Sequence, residues 1–414
     1  MTQPPGDPVA SAPPPSPTAP PRSDSNFVPP PRYRPETGCA ASADNRGDPL
    51  FASAPPAERW LLIEANTPWP RIALTALHRS TPNPSTPQAA LNHPTPAAPT
   101  PPADLGSSTS ATHTPQADPS RPAAQAAPST AADTLPTEIA QLCAQLRCRP
   151  VLIRRHGRSP ADTPRRWFLV DSRPGHESIR TGELPTDEHL LAVLSGKDPG
   201  TLTTDPIYLV CTHGRHDACC AVRGRPAAAA LTAAYPDRTW ECSHIGGDRF
   251  AANLVFLPHS LFYGHVPADQ AVPLAESYNQ GTITPTYYRG SGAHPPPVQA
   301  AQHFARTTGH SLAINALHPL VITQPTPNHW SVTLSTRDSA PNDSTTPAGD
   351  SASGDPARGD SAPPHAPIHS RTITVEVRAE MVTVDGQMTC AAKPPGQVRH
   401  FTLAAPINSQ AAGS

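Results

Sequence analysis

Three long tracts dominated by Pro, Ala, Ser and Thr limit which parts of this chain can fold. They cover residues 1–35, 79–134 and 337–370, and they contain few of the aliphatic and aromatic side chains that build a core. A segment that buries little apolar surface cannot offset the conformational entropy that it loses on ordering. We therefore predict a disordered tail and two disordered inserts in an otherwise folded protein.

The segments between these tracts have the pattern of an α/β protein. Short apolar strands and helical patterns follow one another, at 60–64 (strand), 136–148 (helix), 151–153 and 167–170 (strands), then at 207–210 (strand), 226–234 (helix), 239–244 and 252–257 (strands). The order strand–helix–strand–strand recurs, which indicates two related α/β units or one split sheet.

The recurrence sets the expected domain boundaries. The folded region should span 36–336, with its second unit at 205–310. An alternating strand at 372–377 places a C-terminal piece of the same fold at 371–403, followed by a tail at 404–414.

Charge and hydropathy exclude several classes of partner. The formal net charge is −2, so no bulk attraction to nucleic acid or to an anionic membrane is expected. No run of eighteen apolar residues is present, and the N-terminus lacks the pattern of a secretory signal. We expect a cytoplasmic protein, in which clustered cysteines are more often ligands or redox groups than disulfides.

Cysteine and histidine crowd into the stretch VCTHGRHDACCAVRG at 210–224. Cys211 ends an apolar strand, and Cys219 and Cys220 stand just before the predicted helix, where backbone N–H groups favour anionic ligands. A second loop, ECSHIGGDRFAAN at 241–253, adds Cys242, His244 and Asp248. These residue types are compatible with a metal centre, with a redox dithiol such as Cys211 and Cys220, or with an irregularly spaced structural zinc site.

The two cysteine-bearing segments, together with LPHSLFYG at 257–264 and the opening stretch from Cys39 through PLFASAPPAERWLLIE, resemble the sucrase/ferredoxin-like family. The resemblance covers all the segments expected to fold. It implies a thioredoxin-like α/β architecture and a [2Fe–2S] cluster.

The resemblance also implies a ligand set. In fungal relatives, two cysteines nine residues apart and two histidines in a His-x-Gly-Gly-His loop are the ligands. Carried over by position, these are Cys211, Cys220 and His244, whereas Asp248 stands where the second histidine is expected. A carboxylate is a harder and less usual iron ligand than imidazole, so Cys219 and Cys242 are alternative fourth ligands.

The function implied is one-electron transfer rather than stand-alone catalysis. Imidazole in place of thiolate raises the reduction potential of such a cluster, as in Rieske centres. No Gly-rich dinucleotide fingerprint follows a strand, so a separate, unidentified reductase or electron acceptor is required. The alternative is a zinc-stabilised or thiol-redox thioredoxin-like module without a cluster. Outside the site, Cys143 and Cys148 are expected to be packing thiols, and Cys39 and Cys390 to be structural or inert.

Overall fold

The computed structural model describes residues 34–79, 134–157, 163–336 and 371–410. The tail and the inserts expected to be disordered, at 1–35, 79–134 and 337–370, lie almost entirely outside these residues, so their disorder stays a prediction. The described chain forms a ten-stranded mixed sheet, a second sheet of five antiparallel strands, and helices that pack on both.

The first half of the large sheet follows a short helix, α1 (Cys39–Arg46). Its elements, in chain order, are β1 (Arg59–Glu64), α2 (Leu135–Gln145), β2 (Cys148–Arg154), β3 (Arg166–Asp171), β4 (Ser178–Glu183), α3 (His189–Leu194) and β5 (Thr201–Thr203). β1 is parallel to β2 and antiparallel to β3, and β3, β4 and β5 continue antiparallel. We call this half the first unit.

The second half repeats that plan. Its elements are β6 (Ile207–Cys211), α4 (Ala218–Ala234), β7 (Thr239–Cys242), β8 (Leu254–Leu257), β9 (Leu261–Tyr263), α5 (Ala271–Asn279) and β10 (Tyr288–Ser291). β6 is parallel to β7 and antiparallel to β8, and β8, β9 and β10 continue antiparallel. We call this half the second unit; the predicted α/β class with two related units is confirmed.

The two units join through an antiparallel pairing of β2 with β7, in which Ile153 faces Cys242 and Arg154 faces Glu241. The strands overlap only near their C-terminal ends, so the parallel strands of both units end near the centre of the sheet. Residues that follow β6 and β7 therefore lie against the first unit as well as against their own.

The remaining chain forms a helix and the second sheet. These are α6 (Pro296–Thr307), β11 (Leu317–Thr326), β12 (His329–Thr336), β13 (Arg371–Val384), β14 (Gly396–Leu403) and β15 (Asn408–Gln410). Buried side chains of α6 and of β12, β13 and β14 form one apolar core. β15 pairs with β13 inside the segment expected to be a tail, so the predicted boundary at 404 is wrong.

Local sequence explains the elements that build the centre. All five residues of β6 are buried, as is typical of a strand covered on both faces. α4 is rich in alanine, and the Asp217 side chain caps it by accepting from the Cys219 backbone N–H. The helix begins at Ala218 rather than at Pro226, so Cys219 and Cys220 lie in its first turn and not before it. Among the described residues, no helix has the length and apolar character needed to cross a membrane.

Candidate metal centre

Two thiols lie at the ends of neighbouring parallel strands. Cys211 ends β6 and Cys242 ends β7, and their Cα atoms are register partners. Both side chains are buried, and both thiols belong to one hydrogen-bonded group with Cys220. The sheet therefore brings two sequence-distant cysteines to one point.

The first turn of α4 adds the third thiol of this group. Cys220 is fully buried and contacts Cys211. The helix approaches the strand end closely at Gly224, where an added Cβ would lie only 2.1 Å from the Cys211 carbonyl oxygen. Glycine is thus required at this position for α4 to sit where it presents Cys220 to Cys211.

The loop after β7 supplies an imidazole and a carboxylate. Gly246 and Gly247 have φ values of 93° and 82°, a left-handed conformation that side-chain-bearing residues rarely adopt. The turn lets the chain fold back so that His244 Nδ1 lies 2.9 Å from Asp248 Oδ1. The two residues form a contacting pair at the mouth of the site.

The four residues inferred from the family resemblance are linked by a series of contacts in this structure, and the group whose ligand atoms all lie within 4.8 Å of one another consists of His216, His244 and Asp248. The Cys220 Sγ lies 3.2 Å from Asp248 Oδ1, which links the Cys211–Cys220 thiol pair to the His244–Asp248 pair. The arrangement is therefore one pair of thiols beside one pair of imidazole and carboxylate.

Hydrogen bonds among the three thiols lower the pKa of one of them and raise the pKa of the other two. The pKa of Cys211 lies well below its usual range, chiefly because the Cys220 thiol and then the Cys242 thiol hydrogen-bond to its thiolate form. The same bond with Cys211, followed by burial, raises the pKa of Cys220. Burial raises the pKa of Cys242. The group therefore favours the thiolate form of Cys211, and the thiolate is the form in which cysteine binds a metal.

Two histidines of the Cys211–Cys220 turn support the site. The His216 ring stacks on His244 with a centroid distance of 3.7 Å, and its Nε2 lies 3.4 Å from Asp248 Oδ2. His213 Nε2 donates to the Pro70 carbonyl at 2.9 Å, and its Nδ1 accepts from the His244 backbone N–H at 3.3 Å. His216 is thus a further candidate ligand, whereas His213 positions the loop of His244.

Buried arginine side chains lie near the group of Cys211, Cys220, His244 and Asp248. The Arg289 guanidinium, 1% exposed, donates to Asn253 Oδ1, to the Gly246 carbonyl and to Ser53, so each hydrogen-bond acceptor found for it in the described chain is neutral. Burial lowers its pKa to about 9, and the nearby Asp248 and Cys220 act against that shift. Burial likewise lowers the pKa of Arg149, which the thiols of Cys242 and Cys211 oppose. A site with this surrounding favours an anionic occupant.

The alternative fourth ligands lie in different places. Cys242 contacts Cys211 inside the group. Cys219 faces away from it and contacts the thiols of Cys39 and Cys390 at 3.6 and 3.4 Å. This second thiol group has no local sequence signal, because its members come from three distant segments. Cys143 and Cys148 are buried together in the core of the first unit, as expected for packing thiols.

Comparison with known proteins gives a family and one partial relative. A curated relative is the "Altered inheritance of mitochondria protein 32" of Meyerozyma guilliermondii, which is 34% identical over 98 residues, covering 21% of this chain and 35% of that protein. The chain therefore matches only about a third of that relative's length. No solved structure matches. The sucrase/ferredoxin-like family model matches residues 50–290, more than half of the chain and both units of the large sheet, and the protein therefore belongs to the sucrase/ferredoxin-like family.

Proposed function

We propose that this protein binds a [2Fe–2S] cluster through Cys211, Cys220, His244 and Asp248 and transfers one electron at a time. The observation that carries the proposal is the contact between a buried thiol pair and an imidazole–carboxylate pair, joined by the 3.2 Å contact of Cys220 with Asp248. These donors come from three separate segments that the fold brings together.

The donor set fits such a cluster. In Rieske-type centres one iron has two thiolate ligands and the other has two imidazoles. Here Cys211 and Cys220 supply the thiol pair, and His244 with Asp248 supplies the second pair. When bound, the cluster provides a one-electron couple whose potential depends on net charge, hydrogen bonds to sulfur and exposure.

The protein's own charges act on the reduction potential in opposite directions. A carboxylate ligand adds a negative charge that a second imidazole would not, and this charge lowers the potential. Arg289 and Arg149 act in the opposite direction, since buried guanidinium groups stabilise additional negative charge nearby. We infer that the two arginines compensate for the carboxylate at position 248.

The exposed edge of the site indicates where an electron partner docks. The thiols of Cys211 and Cys220 are buried, whereas the side chains of His244 and His216 are 28% and 27% exposed. An unidentified reductase or acceptor therefore approaches the histidine side of the site, because electron transfer requires the shortest path to the irons. We propose a cytoplasmic location, in which clustered cysteines act more often as ligands or redox groups than as disulfides.

A direct test is the composition of anaerobically purified full-length protein. We expect about two irons and two acid-labile sulfides per chain, visible absorption with a reddish-brown colour, and an EPR signal on one-electron reduction. Replacing Cys211 by Ser should abolish these signals, and Cys143→Ser in the first unit should leave them intact. A colourless wild type without sulfide, or an unchanged spectrum in Cys211→Ser, contradicts the proposal.

The rival function is thiol–disulfide exchange by Cys211 and Cys220, which the lowered pKa of Cys211 favours. A thiol oxidoreductase is colourless, and alkylation should trap Cys211 in its reduced form. His244→Ala leaves that alkylation rate nearly unchanged under the rival function, whereas it alters the visible spectrum if a cluster is bound.

A further inference from the structure

A second group of thiols lies outside the proposed cluster site. It consists of Cys39, the first residue of α1, Cys219 in the first turn of α4, and Cys390 in the connection between β13 and β14. The three residues are separated by up to 351 positions in sequence. The fold thus brings the N-terminal helix, the second unit and the second sheet to one point.

The three sulfur atoms form a nearly equilateral triangle. The Sγ–Sγ distances are 3.6 Å from Cys39 to Cys219, 3.4 Å from Cys219 to Cys390, and 3.6 Å from Cys390 to Cys39. Tetrahedral Zn–S bonds of about 2.3 Å place neighbouring sulfurs about 3.8 Å apart. The triangle therefore has nearly the size that three thiolates on one zinc ion require.

A buried carboxylate provides the fourth corner. Asp217 Oδ1 and Oδ2 lie 3.7 and 3.6 Å from the Cys39 sulfur, and all four ligand atoms of the group lie within 4.8 Å of one another. The carboxylate is oriented by backbone N–H groups of Cys219 and Cys390, at 2.8 and 2.6 Å. Each oxygen keeps a lone pair for a metal, because a carboxylate offers about four acceptor sites.

We propose that Cys39, Cys219, Cys390 and Asp217 bind one zinc ion that joins these three segments. Asp217, Cys39 and Cys219 are at most 2% exposed, and Cys390 is half-buried at the edge of the group. Four protein ligands without an open position are characteristic of structural rather than catalytic zinc. Backbone donors to the ligands, such as the Ala40 N–H to the Cys219 sulfur at 3.5 Å, complete the surroundings.

Other uses of three thiols fit less well. A disulfide would bring two of the sulfur atoms to about 2.05 Å from each other and leave the third thiol unbonded. The three Sγ–Sγ distances are instead nearly equal. Cysteine ligands to different irons of one cluster stand farther apart than ligands to one ion. A single tetrahedral ion accounts for both the equal spacing and the adjoining carboxylate.

The proposed zinc site and the proposed cluster site share consecutive residues. Cys219 faces the zinc group and Cys220 faces the cluster group, both from the first turn of α4. Zinc would therefore fix the turn that presents Cys220, while making no contact with iron. The zinc proposal stands without the cluster, because none of its four ligands belongs to the cluster set.

The test measures zinc in full-length protein that cannot hold a cluster. In the double variant Cys211→Ser/Cys220→Ser, we expect about one zinc per chain by elemental analysis. Competition with a chromophoric chelator should show that adding Cys390→Ala weakens zinc binding by at least about a hundredfold, since even outer-shell changes cost 10–100-fold. Adding Cys143→Ala instead, a buried thiol of the first unit, should leave the affinity unchanged.

Melting temperatures test the same proposal when a variant is too unstable for zinc analysis. A strong chelator should lower the melting temperature of the double variant, Zn²⁺ but not Mg²⁺ should restore it, and the shift should be absent once Cys390 is replaced. Zinc content unaffected by Cys390→Ala would overturn the proposal. So would a Cys219–Cys390 disulfide found by mass spectrometry in anaerobically purified protein.

Discussion

The two units of the large sheet share one order of elements, but only the second has cysteines at the ends of its parallel strands. β6 and β7 end at Cys211 and Cys242, whereas β1 and β2 end at Glu64 and Arg154. Glu64 accepts from the Arg166 backbone N–H at 2.9 Å, and Arg154 stacks 4.2 Å from the Trp69 ring. In the first unit the side chains at these positions make a backbone hydrogen bond, a ring contact and the ion pair of Arg154 with Glu241 at 2.8 Å.

The connection after the first strand accounts for part of the difference. β6 leads into α4 through residues 212–217, a turn short enough to place Cys220 against Cys211. The corresponding connection of the first unit, between β1 and α2, contains the Pro-rich insert. The first unit instead contributes Pro70, whose carbonyl fixes His213 and hence the loop of His244. The fold offers the same location twice, and the local sequence determines which copy can hold a metal.

The largest difference between the two units is expected in bound iron, when the equivalent histidine of each unit is replaced by alanine. His244 and His156 each stand two residues after the end of a parallel strand, in the second and first unit respectively. His244→Ala should reduce bound iron at least tenfold, since it removes a proposed ligand. His156→Ala should leave iron content and the visible spectrum unchanged, because its partner is Glu241. Equal iron loss in both variants would mean that the two units do not differ in function.

The close approach of α4 to β6 gives the next prediction. Gly224→Ala places a Cβ 2.1 Å from the Cys211 carbonyl oxygen, so the helix or the strand end must move. We expect a stability loss of about 1–3 kcal/mol in denaturant unfolding, together with loss of most bound iron. The control is Ala229→Gly on the exposed face of α4, which should cost about 1 kcal/mol and keep the iron. Full iron loading in Gly224→Ala would contradict the proposed packing.

A smaller change is expected from restoring the histidine of the fungal pattern. Asp248→His exchanges a carboxylate for a neutral ligand and should raise the reduction potential by about 100 mV or more. Imidazole-for-thiolate exchange at both positions accounts for the roughly 250 mV or larger gap between plant-type and Rieske centres. Voltammetry at several pH values should also show a steeper pH dependence, because a second imidazole can lose a proton. An unchanged potential would exclude residue 248 as a ligand.

The smallest effect concerns acid stability of the first unit. Burial acts to raise the pKa of Asp171, but hydrogen bonds from Arg173 and Arg59 outweigh it and hold the pKa below its ordinary value of 3.8. The associated stabilisation is complete above about pH 4 and is lost as the pH falls through the folded-state pKa. Asp171→Asn should remove about 0.5–1 kcal/mol at pH 7 and less at pH 2, with iron content unchanged. A loss that is equal at both pH values would contradict this assignment.

Much of the fold could be predicted from the sequence, because buried strands such as β6 are continuous apolar runs. The start of α4 was missed, since Pro226 has the pattern of a helix start although it lies on an exposed face inside the helix. The second sheet was largely missed as well, because β12 pairs with β13 across a long insert and β11, which pairs with β12, exposes most of its side chains.

The proposed cluster ligands could be predicted from the sequence because they lie in two short motifs, and in the structure they are linked by contacts. The thiol group of Cys39, Cys219 and Cys390 could not be predicted from the sequence in this way. Its outer members lie near opposite ends of the chain, and no periodicity or local spacing relates them. His216 resembles any exposed loop histidine in sequence, and only the stacking on His244 distinguishes it.

The central claim is that two consecutive cysteines of α4 serve two different centres. Iron, acid-labile sulfide and zinc should be measured together in Cys219→Ala and Cys220→Ala, with wild-type protein purified in parallel under anaerobic conditions. We predict that Cys220→Ala loses iron and sulfide but retains about one zinc, and that Cys219→Ala loses zinc but retains part or all of its iron. Loss of the same metal in both variants, or of neither metal in either, would contradict the account.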